Sequence, residues 1–308
     1  MVFTKLFSAV CFCLLGSRVS AWGKDGHGII ADIAQLLLNE KAHDAVLHIL
    51  SVEGKGTNMS DVSSWADLMT HTREFKWSAP LHFANIRDPN CGTPETGYNN
   101  CTFVYKRDCV DRDGNNPGFC NAGAVLNYTQ RLKEGLQNPE PDTNKTLNAL
   151  KFLIHFVGDI SQPLHCGMLA DRGGVVIDVD YYVNGQGSRW NLHNVWDFGM
   201  IVNKEGIEGD RLPLRNEILE QLEGKWGSNM KQWASVTDPK KWVQDSLDEA
   251  TLHAYRFANG TQVPKEHYHV YIPESYYDAY MCKGCLVELQ LAKGGVRLAQ
   301  LLNSMPWN

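Results

Sequence analysis

A mostly helical single domain with one small β-ribbon is the architecture this sequence predicts, and three observations predict it. Apolar residues recur at helical spacing through five long stretches. Convincing strand patterning occurs in one place, around a glycine-rich turn. The 308 residues contain no internal repeat or low-complexity segment, and that length supplies ample core. The class is all-α with a minor β element.

The chain opens with a pattern expected of a secretory signal, residues 1–21. Lys5 supplies a positive charge, Leu6 to Leu15 is apolar but too short to span a bilayer, and Val19-Ser20-Ala21 suits the small-residue cleavage rule. Cleavage after Ala21 would make Trp22 the first residue of a single domain, 22–308. No later stretch reaches the roughly 18 apolar residues of a spanning helix, so no membrane anchor is expected.

Ile29 to Leu50 carries the first helical pattern. Residues 88–123, rich in Gly, Asn and Cys, read as a long stapled loop. Leu147 to Ile160 is strongly helical, with Thr143 as a start signal. Val175–Val183 and Ser188–Leu192 flank Asn184-Gly-Gln-Gly187 as a hairpin. Helices follow over Leu214–Lys225, over Lys240–Phe257 after the Asp238-Pro239 start signal, and over Cys285–Leu302.

Cysteines, sequons and charge bound the environment. Cys11 and Cys13 fall in the signal; Cys91, Cys101, Cys109, Cys120, Cys166, Cys282 and Cys285 remain. In an exported chain most of these pair, and an odd number leaves one thiol over. Cys109 and Cys120 are expected to be disulfide-bonded. Cys282-Lys-Gly-Cys285 admits a redox pair or half a zinc site, but the expectation is two structural bridges from the C-terminal region to the Cys91–Cys120 segment. Asn-x-Ser/Thr sequons at Asn58, Asn100, Asn127, Asn144 and Asn259 fit a glycosylating route, with the protein secreted or lumenal in the secretory or endolysosomal pathway. Losing Lys5 and Arg18 with the signal takes the formal net charge from −6 to −8. That excludes a basic groove tracking a duplex backbone. Metal ions would supply positive charge locally instead.

The chemistry lies in histidines and aspartates. His155 and Asp159 form one His-x-x-x-Asp pair, His193 and Asp197 a second, and His165 stands between them. Residues i and i+4 share a helix face, so each pair offers a nitrogen and a carboxylate to one point. Trp65-Ala-Asp67, Pro80-Leu-His82-Phe83 and Trp22-Gly-Lys-Asp-Gly-His27 add further donors. A nitrogen/oxygen set without thiolates suits zinc in an open catalytic site with more than one ion. His43, His48, His71, His253, His267 and His269 are assigned no role.

These segments resemble the class I single-strand-specific zinc nucleases and 3′-nucleotidases, a family that shares its fold with bacterial zinc phospholipase C. The matches are Trp22-Gly-x-x-Gly-His27, Trp65-Ala-Asp67, Pro80-Leu-His82-Phe83, Leu153-Ile-His155-Phe-Val-Gly-Asp159, Gln162-Pro-Leu-His165, Asp171-Arg-Gly-Gly174, Asn191-Leu-His193-x-Val-Trp-Asp197 and Leu291-Ala-x-Gly-Gly-Val-Arg-Leu-Ala299. They run in order through nearly all of 22–308.

The resemblance implies three Zn²⁺. Asp67, His82, His155 and Asp159 would hold one. Trp22 (through its amino nitrogen and carbonyl oxygen), His27 and the bridging Asp159 would hold a second, and His165, His193 and Asp197 the third. Asp67 and Asp159 would serve the zinc-activated water that attacks phosphorus. Phe83 would stack on a nucleobase, with Asn85 beside it; stacking tolerates any base but needs an unpaired one. The implied activity is hydrolysis of single-stranded DNA and RNA to 5′-phosphate products, with release of phosphate from 3′-nucleotides, by a monomer.

Three positions depart from the family pattern. Asn85 stands where the family often has Asp, and Thr70 where fungal members carry Arg, with Arg73, Lys76 or Arg87 as replacements for that charge. Cys166, beside His165, is expected to be the unpaired thiol, packed as a small apolar residue. A zinc phospholipase on the same scaffold, or a non-enzymatic zinc or nucleotide binder, are the alternative readings.

Overall fold

A computed structural model describes residues 22–307, except 93–96, 141, 184, 207–209, 265–269 and 284 and the side chains of Cys282 and Lys283. The expected signal segment, His267 and His269 lie outside the described residues. The helices are α1 (Lys24–Leu36), α2 (Glu40–Leu50), α3 (Met59–Val62), α4 (Trp65–Met69), α5 (Tyr105–Asp108), α6 (Asn121–Gln137), α7 (Thr143–Ser161), α8 (Leu192–Asn194), α9 (Met200–Glu205), α10 (Leu212–Glu223), α11 (Gly227–Ser235), α12 (Pro239–Glu249), α13 (Glu274–Tyr277) and α14 (Leu286–Asn303). The strands are β1 (Asp178–Val183), β2 (Gln186–Asn191) and β3 (Val270–Tyr271). The expected all-α class with a minor sheet is what the chain adopts.

Helix α7 is the axis of the bundle. Its residues from Ala149 to Ser161 are all buried, polar ones included. A helix apolar on every side belongs in the centre of a bundle, and α1, α6, α12 and α14 pack around it. Asp142 caps its start by accepting from Lys145 N–H at 3.1 Å, one residue before the expected signal at Thr143. Close packing depends on glycine where helices touch. A Cβ on Gly295 of α14 would stand 2.5 Å from Ile33 Cγ2 of α1. A Cβ on Gly158 of α7 would stand 2.5 Å from His27 Nδ1, also on α1.

The structure corrects several sequence expectations. Ile29–Leu50 is two helices, because Asn39 ends one run and caps the next by accepting from Ala42 N–H at 2.9 Å. Helix α6 was not anticipated: its start is built of small buried residues, Ala122, Gly123 and Ala124, and beyond Val125 only Tyr128 and Leu132 are buried in a polar stretch, which leaves a weak periodic signal. Lys240–Phe257 remains α-helical only to Glu249 and continues as a π turn to Ala254. The hairpin pairs Asp178 with Asn191 through Val183 with Gln186, and β3 adds to β1 in parallel, giving the order β2-β1-β3.

The disulfides are local. Cys91 pairs with Cys101 and Cys109 with Cys120, so the expected bridges from the C-terminal region to this segment are not made. The four cysteines satisfy one another because the loop brings their Cα atoms to 5.1 and 4.9 Å, inside the bridging range. Cys166 is buried and unpaired, as expected; its thiol sits 3.9 Å from Asn121 Nδ2. All five sequon asparagines are exposed. Among the described residues no helix is long and apolar enough to cross a membrane.

Candidate metal centre

The candidate donors arrive from several elements. His155 and Asp159 lie one turn apart on α7 and face α1 and α4, which contribute His27 and Asp67. His82 ends the 3₁₀ turn 76–82, and His165 lies in the 3₁₀ turn 163–166 that follows α7. His193 sits in α8 and Asp197 in the π turn 195–199. The π turn keeps the second pair within reach, with His193 Nε2 at 3.1 Å from Asp197 Oδ2.

Four donor atoms converge on one point. His82 Nδ1 lies 2.9 Å from His155 Nε2, 3.3 Å from Asp67 Oδ1 and 3.1 Å from Asp159 Oδ2. His155 Nε2 lies 3.3 Å from both Asp67 Oδ1 and Asp159 Oδ2. Zn–N and Zn–O bonds of about 2.0–2.1 Å place the corners of a tetrahedron about 3.3 Å apart. These five distances are therefore five of the six edges of a zinc-sized tetrahedron.

The other oxygen of Asp159 faces elsewhere. Oδ1 lies 3.5 Å from His27 Nε2 and 3.6 Å from His165 Nδ1. One carboxylate thus divides its two oxygens between neighbouring clusters. His27 stacks on His155 with ring centroids 4.1 Å apart. The geometry therefore groups His27, His155 and Asp159, where the resemblance supplies Trp22 in place of His155. Trp22 is wholly buried and held at two points. Its indole N–H donates to Ser161 Oγ at 2.9 Å, and the Gly23 N–H donates to Asp197 O at 2.7 Å. The start of the described chain is thus fixed to the elements that carry Asp159 and Asp197. In the third group, His165 Nε2 lies 3.6 Å from Asp197 Oδ1.

Backbone carbonyls orient the rings. His155 Nδ1 bonds Ser63 O, His165 Nδ1 bonds His82 O, and His193 Nδ1 bonds Gly173 O, each at 2.7 Å. A carbonyl only accepts, so each Nδ1 carries the proton and each Nε2 turns a lone pair inward, the arrangement of outer-shell partners at metal sites. Gln162 Nε2 donates to Asp197 Oδ1. Both nitrogens of His27, both oxygens of Asp159, His165 Nε2, His193 Nε2 and Asp197 Oδ2 are buried with no hydrogen-bond partner among the described residues. So many inward-facing acceptors in one buried place have a physical rationale if cations bind them. Three zinc ions fit this donor set.

The electrostatics agree. Burial pushes the Asp67 carboxyl up, but His155 and His82 outweigh it and hold it near about 2. Asp159 is likewise pulled well below the carboxylate range by His155 and His82 against its burial. Burial lowers His155, yet Asp159 and Asp67 outweigh it and lift the imidazole to about 9. His165 is lifted to about 8, the Asp197 bond overcoming burial. His27 is pushed down, by burial first and by His155 second.

A cavity of about 260 Å³ opens beside the third group. Residues 83–87 run extended alongside 165–169, with Ala84 N–H donating to His165 O and Ile86 N–H to Gly167 O. Strand alternation buries Ala84 and Ile86 and turns Phe83 and Asn85 toward the cavity. Leu164, Leu169, Val175, His193 and Arg172 complete its lining. Thr70 Oγ1 is engaged locally with Asp67 O. None of Arg73, Lys76 and Arg87 lines this cavity, and Arg87 is bonded to Asp111 O at 3.1 Å. Arg172 was missed in the sequence; its only signal was its place inside Asp171-Arg-Gly-Gly174. His43, His48, His71 and His253 lie outside the three groups.

The family described as S1/P1 Nuclease matches residues 22–306. Endonuclease 4 of Arabidopsis thaliana is 34% identical over 292 residues, covering 92% of this chain and 88% of its own length. Nuclease P1 of Penicillium citrinum is 30% identical, covering 92% and 97%. Nuclease S1 of Aspergillus oryzae is also 30% identical, covering 94% and 93%. With a match from the first described residue almost to the last, and three metal-sized His/Asp groups in the fold, the chain belongs to the S1/P1 nuclease family.

Proposed function

We propose that this protein is a zinc-dependent, single-strand-specific endonuclease that cleaves DNA and RNA to 5′-phosphate products and also removes phosphate from 3′-nucleotides. The observation that carries this reading is Asp159, whose two oxygens serve two adjoining donor clusters. Asp67, His82, His155 and Asp159 hold one ion. His27, Asp159 and the main-chain end of Trp22 hold a second, and His165, His193 and Asp197 the third. Bound zinc supplies Lewis acidity toward phosphoryl oxygens and lowers the pKa of nearby water toward neutrality.

The chain's own residues do the rest. Asp67 is 14% exposed where Asp159 and Asp197 are fully buried, so it is the ligand carboxylate that meets entering water and substrate. Phe83 offers its ring to an unpaired base, and Asn85 meets the base edge. Stacking of this kind is worth roughly 1–3 kcal/mol per base and is closed to paired bases. The acidic chain repels a duplex backbone, so affinity concentrates at the metal centre.

Residues 1–21 are a signal removed on export, 22–308 form one catalytic domain, and the protein works as a secreted monomer. The five exposed sequons and two local disulfides fit that route. The test joins metal analysis to assays on single-stranded DNA, RNA, duplex DNA and phosphatidylcholine. Three zincs per chain with turnover of single strands are expected, and Asp159→Asn should lose at least two zincs and nearly all activity. Turnover of phosphatidylcholine alone, or a fully active Asp159→Asn protein with three zincs, overturns the proposal.

A further inference from the structure

The cavity beside His193 contains a side chain that the metal chemistry does not use. Its walls are Phe83 and aliphatic residues, which stack on any base alike. Base choice must therefore come from its polar groups. Asn85 both donates and accepts, so it adapts to many base edges. Arg172 only donates, from a planar fork.

Arg172 is exposed, and its side chain has no hydrogen bond or ion pair among the described residues. Its support is nonetheless fixed. It adopts the left-handed conformation, φ 52° and ψ 47°, uncommon outside glycine. The turn is tied down by Gly173 N–H to Met168 O at 3.0 Å and Gly174 N–H to Asp171 Oδ1 at 2.9 Å. The next carbonyl, Gly173 O, is the one that orients His193. Arg172 therefore stands on the same hydrogen-bonded turn that sets the metal ligand, and lines one cavity with Phe83 and Asn85.

We infer that Arg172 is a specificity-determining residue: it reads the O6/N7 edge of guanine and makes this pocket prefer guanine to adenine. Two adjacent acceptors match the guanidinium fork, whereas adenine places an amino donor against it. Both purines stack comparably on Phe83, so the edge decides between them. The inference rests on the pocket receiving a base, as the nuclease reading holds.

Binding of guanosine and adenosine to the zinc-loaded protein tests it without any phosphate, and kcat/KM for 3′-GMP and 3′-AMP tests it in turnover. Guanine should be favoured roughly five- to a hundredfold. Arg172→Ala should bring both ratios near one, and Arg172→Lys should keep only part of them. Arg172→Gly, which suits left-handed backbone, repeats the test if the alanine variant folds poorly. A wild-type ratio of one, or a ratio unchanged in Arg172→Ala, overturns the inference. So does an equal loss on both nucleotides with none on the nucleosides, since Arg172 would then meet phosphate. Failure to turn over any single strand or 3′-nucleotide would instead strike the nuclease reading, and the nucleoside arm would still decide the role of Arg172.

Discussion

Replacing Gly158 by alanine tests the contact that seats His27 against α7. The added Cβ would stand 2.5 Å from His27 Nδ1 and 2.8 Å from Cε1. Carbon contacts are comfortable at about 3.5–4.0 Å, so the ring must retreat by roughly 1 Å. Metal–ligand distances tolerate only about 0.2 Å. Folding should survive: overpacking costs about 1–3 kcal/mol, offset by about 1 kcal/mol of helix propensity gained over glycine. Zinc binding should not, with a loss at the His27 position at least as large as the roughly 10–100-fold that follows from disturbing an outer-shell partner. The assay counts zinc per chain across a series of free-zinc concentrations, with thermal unfolding followed in parallel. Where the wild type holds three ions, Gly158→Ala should hold two, with Tm within a few degrees. Three zincs at unchanged affinity would refute the placement of His27.

Three further outcomes follow from the same geometry. His155 and His165 are held at about 9 and 8, both raised, so the stability they add to the zinc-free protein is present below their ordinary pKa and lost as pH rises through 8–9. Over that window the zinc-free Tm should fall while apparent zinc affinity climbs and binding releases protons; calorimetry in two buffers of different ionisation enthalpy checks this. Glu288 is 6% exposed and raised to about 7 by burial, with Glu217 adding to the rise. A raised carboxyl favours the folded state at low pH, so stability should fall between about 4.5 and 7, and Glu288→Gln should recover at most ~3 kcal/mol at pH 8 in denaturant melts. A protein retaining one residue before Trp22 should be far less active and hold one zinc weakly; equal activity and zinc content would remove Trp22 from the ligand set.

The minor misses in the sequence reading have one physical origin. Helix α6 meets α7 through Tyr128, Leu132 and a small-residue start inside a mostly polar stretch, and β3 joins the ribbon with only two residues, so neither carries a strong apolar period. The pairing of Cys91 with Cys101 depends on a loop path that spacing does not encode.

What the sequence determined by itself is the donor inventory and the helix that bears it. His155 and Asp159 share a face because they are four residues apart, and the apolar run around them requires burial. Only the tertiary structure decided how those donors divide. His82, Asp67 and His27 reach Asp159 from three separate elements, and which carboxylate oxygen each meets depends on helix packing at contacts such as Gly158. Arg172 likewise acquires meaning only from the turn that brings it into one cavity with Phe83. Side-chain spacing is local and legible; the meeting of distant side chains is set by how the helices close on one another.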